Sequence, residues 1–102
     1  VMQDAMELQS AGCFAVVFEA IPTQVTDMVM EHMDIVVIGI GAGPGCDAQV
    51  LVWPDMAGLN TGRVPRFVKR YADLAGVLGG AAEQFSREVR EGVYPAEEHS
   101  FR

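Results

Sequence analysis

The chain has 102 residues, half of them hydrophobic and 21% charged, the balance of a folded domain with one core and not of a disordered segment. Its formal net charge of −7 excludes nucleic acid and anionic membrane as natural partners, because like charges repel. No apolar run approaches the roughly 18 residues of a membrane span, and the opening "VMQDAMELQS" lacks the basic-then-apolar order of a secretory leader.

In chain order, Ala5, Met6 and Leu8 at helical spacing predict a helix over Gln3 to Ala11, stopped at Gly12. The run from Phe14 to Phe18, closed by Glu19 and Pro22, is apolar on both faces and predicts a buried parallel strand. Thr23 can cap a helix over Gln24 to His32, whose apolar face is Val25, Met28, Val29 and Met33. Ile35 to Ile40 predicts a second buried strand, and Gln49 to Trp53 a third, with a glycine-rich loop between them. "VPRFVKRYADLAG" predicts a helix opened by Pro65, and "VLGGAAEQFSREVREG" another, ended by Gly92, so C-terminal helices begin at about residue 64. Gly79 and Gly80 each cost that second helix about 1 kcal/mol relative to Ala. Residues 93–102 read as a polar tail.

Strands alternating with helices imply an α/β fold with a parallel sheet covered on both faces. Three strands leave two bare edges, so the chain reads as one portion of a larger domain. Cys13 and Cys46 lie far apart with no CxxC spacing, which predicts two reduced thiols in a cytoplasmic protein.

"GIGAGPG", Gly39 to Gly45, raises the alternative of a nucleotide-binding module. That fingerprint needs G-x-G-x-x-G opening a helix whose N-terminus faces the pyrophosphate. Pro44 stands at the third glycine position of one register and Cys46 at that of the other, and a strand follows. Tight backbone turning at the end of a strand is the favoured reading.

"AGCFAVVFEAIP", "IGIGAG", "CDAQVLVWPDMAG", "RFVKRYADLAG" and "GVYPAEEHSF" occur in this order. In this the chain resembles the ketopantoate hydroxymethyltransferase family over essentially its whole length. The match is to the C-terminal part of the family's single (β/α)₈ barrel, about three strands plus helices. The resemblance implies transfer of a one-carbon unit from 5,10-methylenetetrahydrofolate to 3-methyl-2-oxobutanoate, giving ketopantoate on the route to pantothenate and coenzyme A. It also implies Mg²⁺, with ligands in the N-terminal part, and a homodecamer in the cytoplasm. On this view residues 1–102 lack the metal site and are inactive alone. The helices after Val64 would cover the barrel or contact a neighbouring subunit.

Glu19 is the one residue assigned to catalysis. It ends an apolar strand, and strand C-termini face the active site of a barrel. Phe18, Ala20 and Ile21 beside it would desolvate the carboxylate and favour its neutral form. Such a group suits proton abstraction, although on the residues alone a solvated acid at a strand end is the alternative. In the resembling family the corresponding glutamate is the base that removes the C3 proton of the keto acid. Asp47 and Asp55 read as loop acids supporting turns, Lys69 as a helix-face charge, and Glu97, Glu98 and His99 as a tail that does not converge on an ion. The methionines read as packing residues.

Overall fold

A computed structural model describes residues 1–102. Helix α1 (Met2–Ser10) leads into strand β1 (Ala15–Glu19), helix α2 (Thr23–Met30) and strand β2 (Val36–Ile40). A two-residue strand β3 (Ala48–Gln49), a short helix α3 (Trp53–Met56), a long helix α4 (Leu74–Glu91) and a 3₁₀ turn (Glu97–His99) complete it. The three strands form one parallel sheet in the order β1-β2-β3.

The core follows from strand alternation, since successive side chains point to opposite faces. Ala15 pairs with Val36, Val17 with Ile38 and Glu19 with Ile40, so these six residues share one face. Phe18 and Val37 project from the other face into a core with Ala5 of α1, Val29 of α2 and Ala42. Met2, Val16, Ile21, Val25, Met30 and Met33 pack around it. Both helices therefore cover the same face. The expectation of a sheet covered on both faces is corrected: the face bearing Val17 and Val36, 55% and 48% exposed, is open.

Two polar side chains align the strands. Gln9 Oε1 accepts from the backbone N–H of Asp34 (2.7 Å) and Ile35 (3.2 Å), tying α1 to the entry of β2. Asp47 Oδ2 accepts from the N–H of Val37 at 2.8 Å. The β2–β3 ladder has only two paired positions, and this carboxylate extends it by satisfying a donor on a fully buried residue. Asp47→Ala orphans that donor and should cost about 1–3 kcal/mol. Asp47→Asn, which keeps an acceptor, should cost less. Urea midpoints of the two variants check this, and equal losses would refute the assignment.

Beyond β3 the chain departs from the sequence-based expectations. The expected strand over 49–53 stops at Gln49. Trp53 opens α3 instead, with Pro54 in the first turn, where proline's missing N–H is not needed. The helix expected from Val64 is absent, and helices resume only at Leu74. In its place one turn, closed by Val68 N–H on the Pro65 carbonyl, precedes an extended strap. The N–H groups of Tyr71, Leu74 and Ala75 donate to the carbonyls of Met56, Ala57 and Gly58. Tyr71 N–H is thereby drawn away from an intrahelical bond, and Leu74 and Ala75, the first residues of α4, dock the start of that helix on residues 57 and 58. Asp73 then caps α4, its Oδ1 accepting from Gly76 N–H at 3.1 Å, and Gly92 ends it with φ 73°.

Helix α4 buries none of its residues. The radius of gyration is 22.4 Å, against about 13 Å for a compact chain of 100 residues, so α4 stands away from the sheet. The tail folds back on the end of α4: the Tyr94 ring lies 5.5 Å from Phe85 and 5.2 Å from His99. No helix is long and apolar enough to cross a membrane.

Candidate active site

The C-terminal ends of β1 and β2 lie side by side, with Glu19 in register with Ile40. Ala20 N–H donates to the Ile40 carbonyl at 2.9 Å, fixing the chain directly after Glu19. Ala20 itself has φ 53°, the only non-glycine residue in the left-handed region. Such a conformation costs an L-residue roughly 1–2 kcal/mol and is found where a fold re-aims the chain at a functional edge. It turns the backbone out of the strand, leaving Glu19 as the last side chain on the open face.

Glu19 is exposed, so the apolar enclosure expected around its carboxylate is not supplied by these 102 residues. Below it on the same face stand Val17, Ile38 and Ile40. The site is thus an apolar wall with one carboxylate at its upper edge, open on the side away from α1 and α2.

The glycine loop borders this edge. Gly41 has φ 68°, and a Cβ there would come within 2.4 Å of the Phe67 ring. The loop accordingly provides a backbone seat for Phe67. Gly43 is packed against Thr23 in the same manner, and the Asp27 carboxylate would lie 2.6 Å from a Cβ on Gly45. Gln49 Nε2 donates to the Gly43 carbonyl at 2.9 Å. The loop runs into β3 and opens no helix of its own; the helix start it packs against is that of α2, at Thr23. The fingerprint needs a glycine loop that opens the helix holding the phosphate; this loop opens a strand, with the Asp27 and Asp47 carboxylates beside Cys46, which argues against the nucleotide-binding alternative.

The same acids act on Cys46. Burial pushes its thiol above the usual range, and the Asp47 and Asp27 carboxylates push it further in the same direction. Because the thiolate is the nucleophile, a raised thiol pKa lowers reactivity at a given pH. At pH 8, Cys46 in the folded chain should alkylate with iodoacetamide more slowly than in the urea-unfolded chain. Asp47→Asn should narrow the gap. Mass spectrometry of the labelled peptide reads both rates, and equal rates folded and unfolded would contradict the argument.

The remaining candidates fall where their local geometry puts them. Neither acid read as a turn support bonds a turn's backbone: Asp47 accepts from Val37 of β2, and Asp55, within α3, accepts from the Asn60 side chain. No three His, Cys, Asp or Glu side chains converge as metal ligands would. Of the acids, His99 meets only Glu98, at 3.5 Å, while its Nδ1 accepts from Ala96 N–H and Glu97 pairs with Arg102. Lys69, expected on a helix face, lies in the strap with its Nζ 5.0 Å from the centre of the Tyr71 ring. Trp53, expected to end a strand, is 59% exposed at the start of α3.

Sequence reasoning missed a cleft of about 650 Å³ just past Glu19, lined by residues 20–23, Gly41 and residues 65–67. Placing Arg66 and Phe67 on a helix hid their position at the strand ends. The available signal was Pro65 so soon after the turn formers of "NTGRV", which favours a short turn as readily as a helix start.

Comparison with known proteins accords with the motif resemblance. The family model described as ketopantoate hydroxymethyltransferase matches residues 1–97. A protein of Saccharopolyspora erythraea named 3-methyl-2-oxobutanoate hydroxymethyltransferase is 60% identical over 98 residues, 96% of this chain and 33% of that protein. Proteins of the same name from Frankia casuarinae and Mycobacterium marinum are 55% and 54% identical, over 98% and 96% of this chain and 34% and 33% of theirs. The chain spans about a third of the length of the curated relatives it matches. With nearly every residue inside the family match and identity above half, the chain belongs to the ketopantoate hydroxymethyltransferase family.

Proposed function

We propose that residues 1–102 form the C-terminal third of a (β/α)₈ barrel that transfers a hydroxymethyl group from 5,10-methylenetetrahydrofolate to 3-methyl-2-oxobutanoate. The observation that carries this reading is the one-sided cover of the sheet. Helices α1 and α2 pack on one face, while the other presents Val17, Val36, Ile38 and Ile40 with Glu19 at its C-terminal edge. An open doubly wound sheet carries helices on both faces, whereas a barrel carries them outside only and turns its inner face to the other strands. Closure by the remaining strands would surround Glu19 with the apolar walls it lacks here.

In this reading Glu19 takes the C3 proton of the keto acid. The C–H electron pair passes into the enolate, whose C3 bonds to the donor's methylene carbon as that carbon's two bonds to folate nitrogens break. Water supplies the hydroxyl, and its other proton and the one taken by Glu19 end on the two nitrogens of the released tetrahydrofolate. The chain's own task is to hold a carboxylate at a fixed height above an apolar floor, and the Ala20 turn and the Glu19–Ile40 register do that.

Mg²⁺ does not fit the residues present. No three potential ligands converge, and Asp47 and Asp55 are engaged with Val37 and Asn60. Its ligands are assigned to the part of the family's length outside residues 1–102. The proposal extends to a cytoplasmic homo-oligomer, a decamer as the family resemblance implies. Helix α4 serves it as a subunit contact, since Leu78, Phe85 and Val89 stand exposed along one stripe.

The test completes the barrel. This chain replaces the matching third of the Saccharopolyspora erythraea protein, and the chimera is incubated with 3-methyl-2-oxobutanoate in D₂O. Deuterium should enter C3, and ketopantoate should form when the folate donor is added. A folded chimera that does neither would remove the reading.

A further inference from the structure

The cleft past Glu19 holds a cation without a partner. Its wall is Ala20, Ile21, Pro22 and Thr23 on one side and Pro65, Arg66 and Phe67 on the other, with Gly41 between. Phe67 is fixed there because its ring rests on the bare backbone of Gly41. Three other cations lie nearby in sequence. Arg70 donates to the carbonyls of Asn60 (2.9 Å) and Gly62 (3.1 Å), and Lys69 sits over Tyr71. Arg63 does not line the cleft. Arg66 lines it and makes no ion pair or hydrogen bond within the chain. In a chain of net charge −7, a free guanidinium beside a seated aromatic ring is a specific arrangement. Arginine recognises carboxylates with a planar, two-pronged fork, and an aromatic wall holds flat ligand surfaces.

We infer that Arg66 anchors a carboxylate of a ligand whose flat, apolar part lies against Phe67 in this cleft. The inference rests on the proposed reading of Glu19 and deepens it by assigning a substrate-binding residue. Two carboxylates are available, that of the keto acid and those of the glutamyl tail of the folate donor. The cleft is a groove open to solvent, with Arg66 exposed on its wall, and it leaves room for a ligand longer than a five-carbon acid, which favours the donor.

The experiment uses the chimera of the preceding section with Arg66→Gln and Arg66→Lys. Steady-state KM values are measured separately for 5,10-methylenetetrahydrofolate and for 3-methyl-2-oxobutanoate. Loss of one charge-assisted contact raises the KM of the ligand it holds about tenfold to a hundredfold. Arg66→Lys, which keeps the charge and loses the fork, should recover part of it. A rise in the donor KM identifies the glutamyl tail, and a rise in the keto acid KM identifies the small substrate. Unchanged KM values for both in Arg66→Gln overturn the inference. If the unsubstituted chimera does not exchange the C3 proton, the reading of Glu19 fails and this inference falls with it. Exchange that is intact with both KM values unmoved refutes Arg66 alone.

Discussion

Glu19→Gln in the completed barrel should reduce C3 deuterium exchange by about a thousandfold, within the 10²–10⁴-fold span of general acid–base catalysis. The amide preserves shape and hydrogen-bonding reach but has no basic oxygen for the proton. Folding should be unaffected: in residues 1–102 the side chain is exposed and makes no hydrogen bond or ion pair, and in a closed barrel a neutral amide of the same size takes a charge out of the apolar enclosure. Substitutions at such positions stay within about 0.5 kcal/mol. Glu19→Asp tests position separately from chemistry. It withdraws the carboxylate by one methylene, and a displacement of about 1 Å costs roughly a hundredfold. The order of exchange rates is therefore glutamate, then aspartate, then glutamine. NMR loss of the C3 proton signal measures all three, and a glutamine variant exchanging at the parental rate would take the base role away from Glu19.

Gly58→Ala should be the most damaging single methyl group in the chain. Gly58 is buried with φ 71°, and an added Cβ would stand 2.0 Å from the backbone oxygen of Ala72. A left-handed alanine costs about 1–2 kcal/mol. Overpacking adds about 1–3 kcal/mol, and backbone cannot swing aside as a side-chain tip can. Gly58 also accepts from Ala75 N–H in the ladder that docks the strap onto α3. The expected loss is about 2–5 kcal/mol, read from the urea midpoint of the completed barrel, with α4 becoming more open to protease. Gly62→Ala is the control, since nothing lies within 4 Å of a Cβ there. Equal midpoints for the two would show that the close approach at Gly58 carries no energy.

The first half of the fold was legible because its signals are local and mutually consistent. The apolar runs ending at Glu19 and Ile40 became β1 and β2, and the spaced apolar residues before Gly12 and after Pro22 became α1 and α2. The second half was decided by partners that sequence spacing does not reveal. "QVLVW" has strand composition, but ladder pairing with β2 ends at Gln49, and Pro54 favours a helix start at Trp53. Val64, Phe67, Val68 and Tyr71 have helical spacing, yet Tyr71 N–H is bound to the Met56 carbonyl of α3 and Phe67 is seated on Gly41. Tertiary hydrogen bonds overrode a valid periodicity there. At the site, the place of Glu19 at a strand end was legible. The left-handed turn at Ala20 was not, because alanine carries no signal for positive φ, and Arg66 was hidden by the misplaced helix.

The open sheet face has a consequence for what stability means in this molecule. Only 8 of 102 residues are buried, and the cover on one side is complete while the other is bare. In the proposed barrel, the strands that close over Val17, Val36 and Ile38 add to the free energy that holds β1 and β2 in place. By mass action, a surface that binds only the folded form shifts the unfolding equilibrium in proportion to the logarithm of its concentration. Separated from the rest of the proposed barrel, the segment would have a melting temperature that moves with the amount of added complement; joined to it, closure is intramolecular and that dependence vanishes.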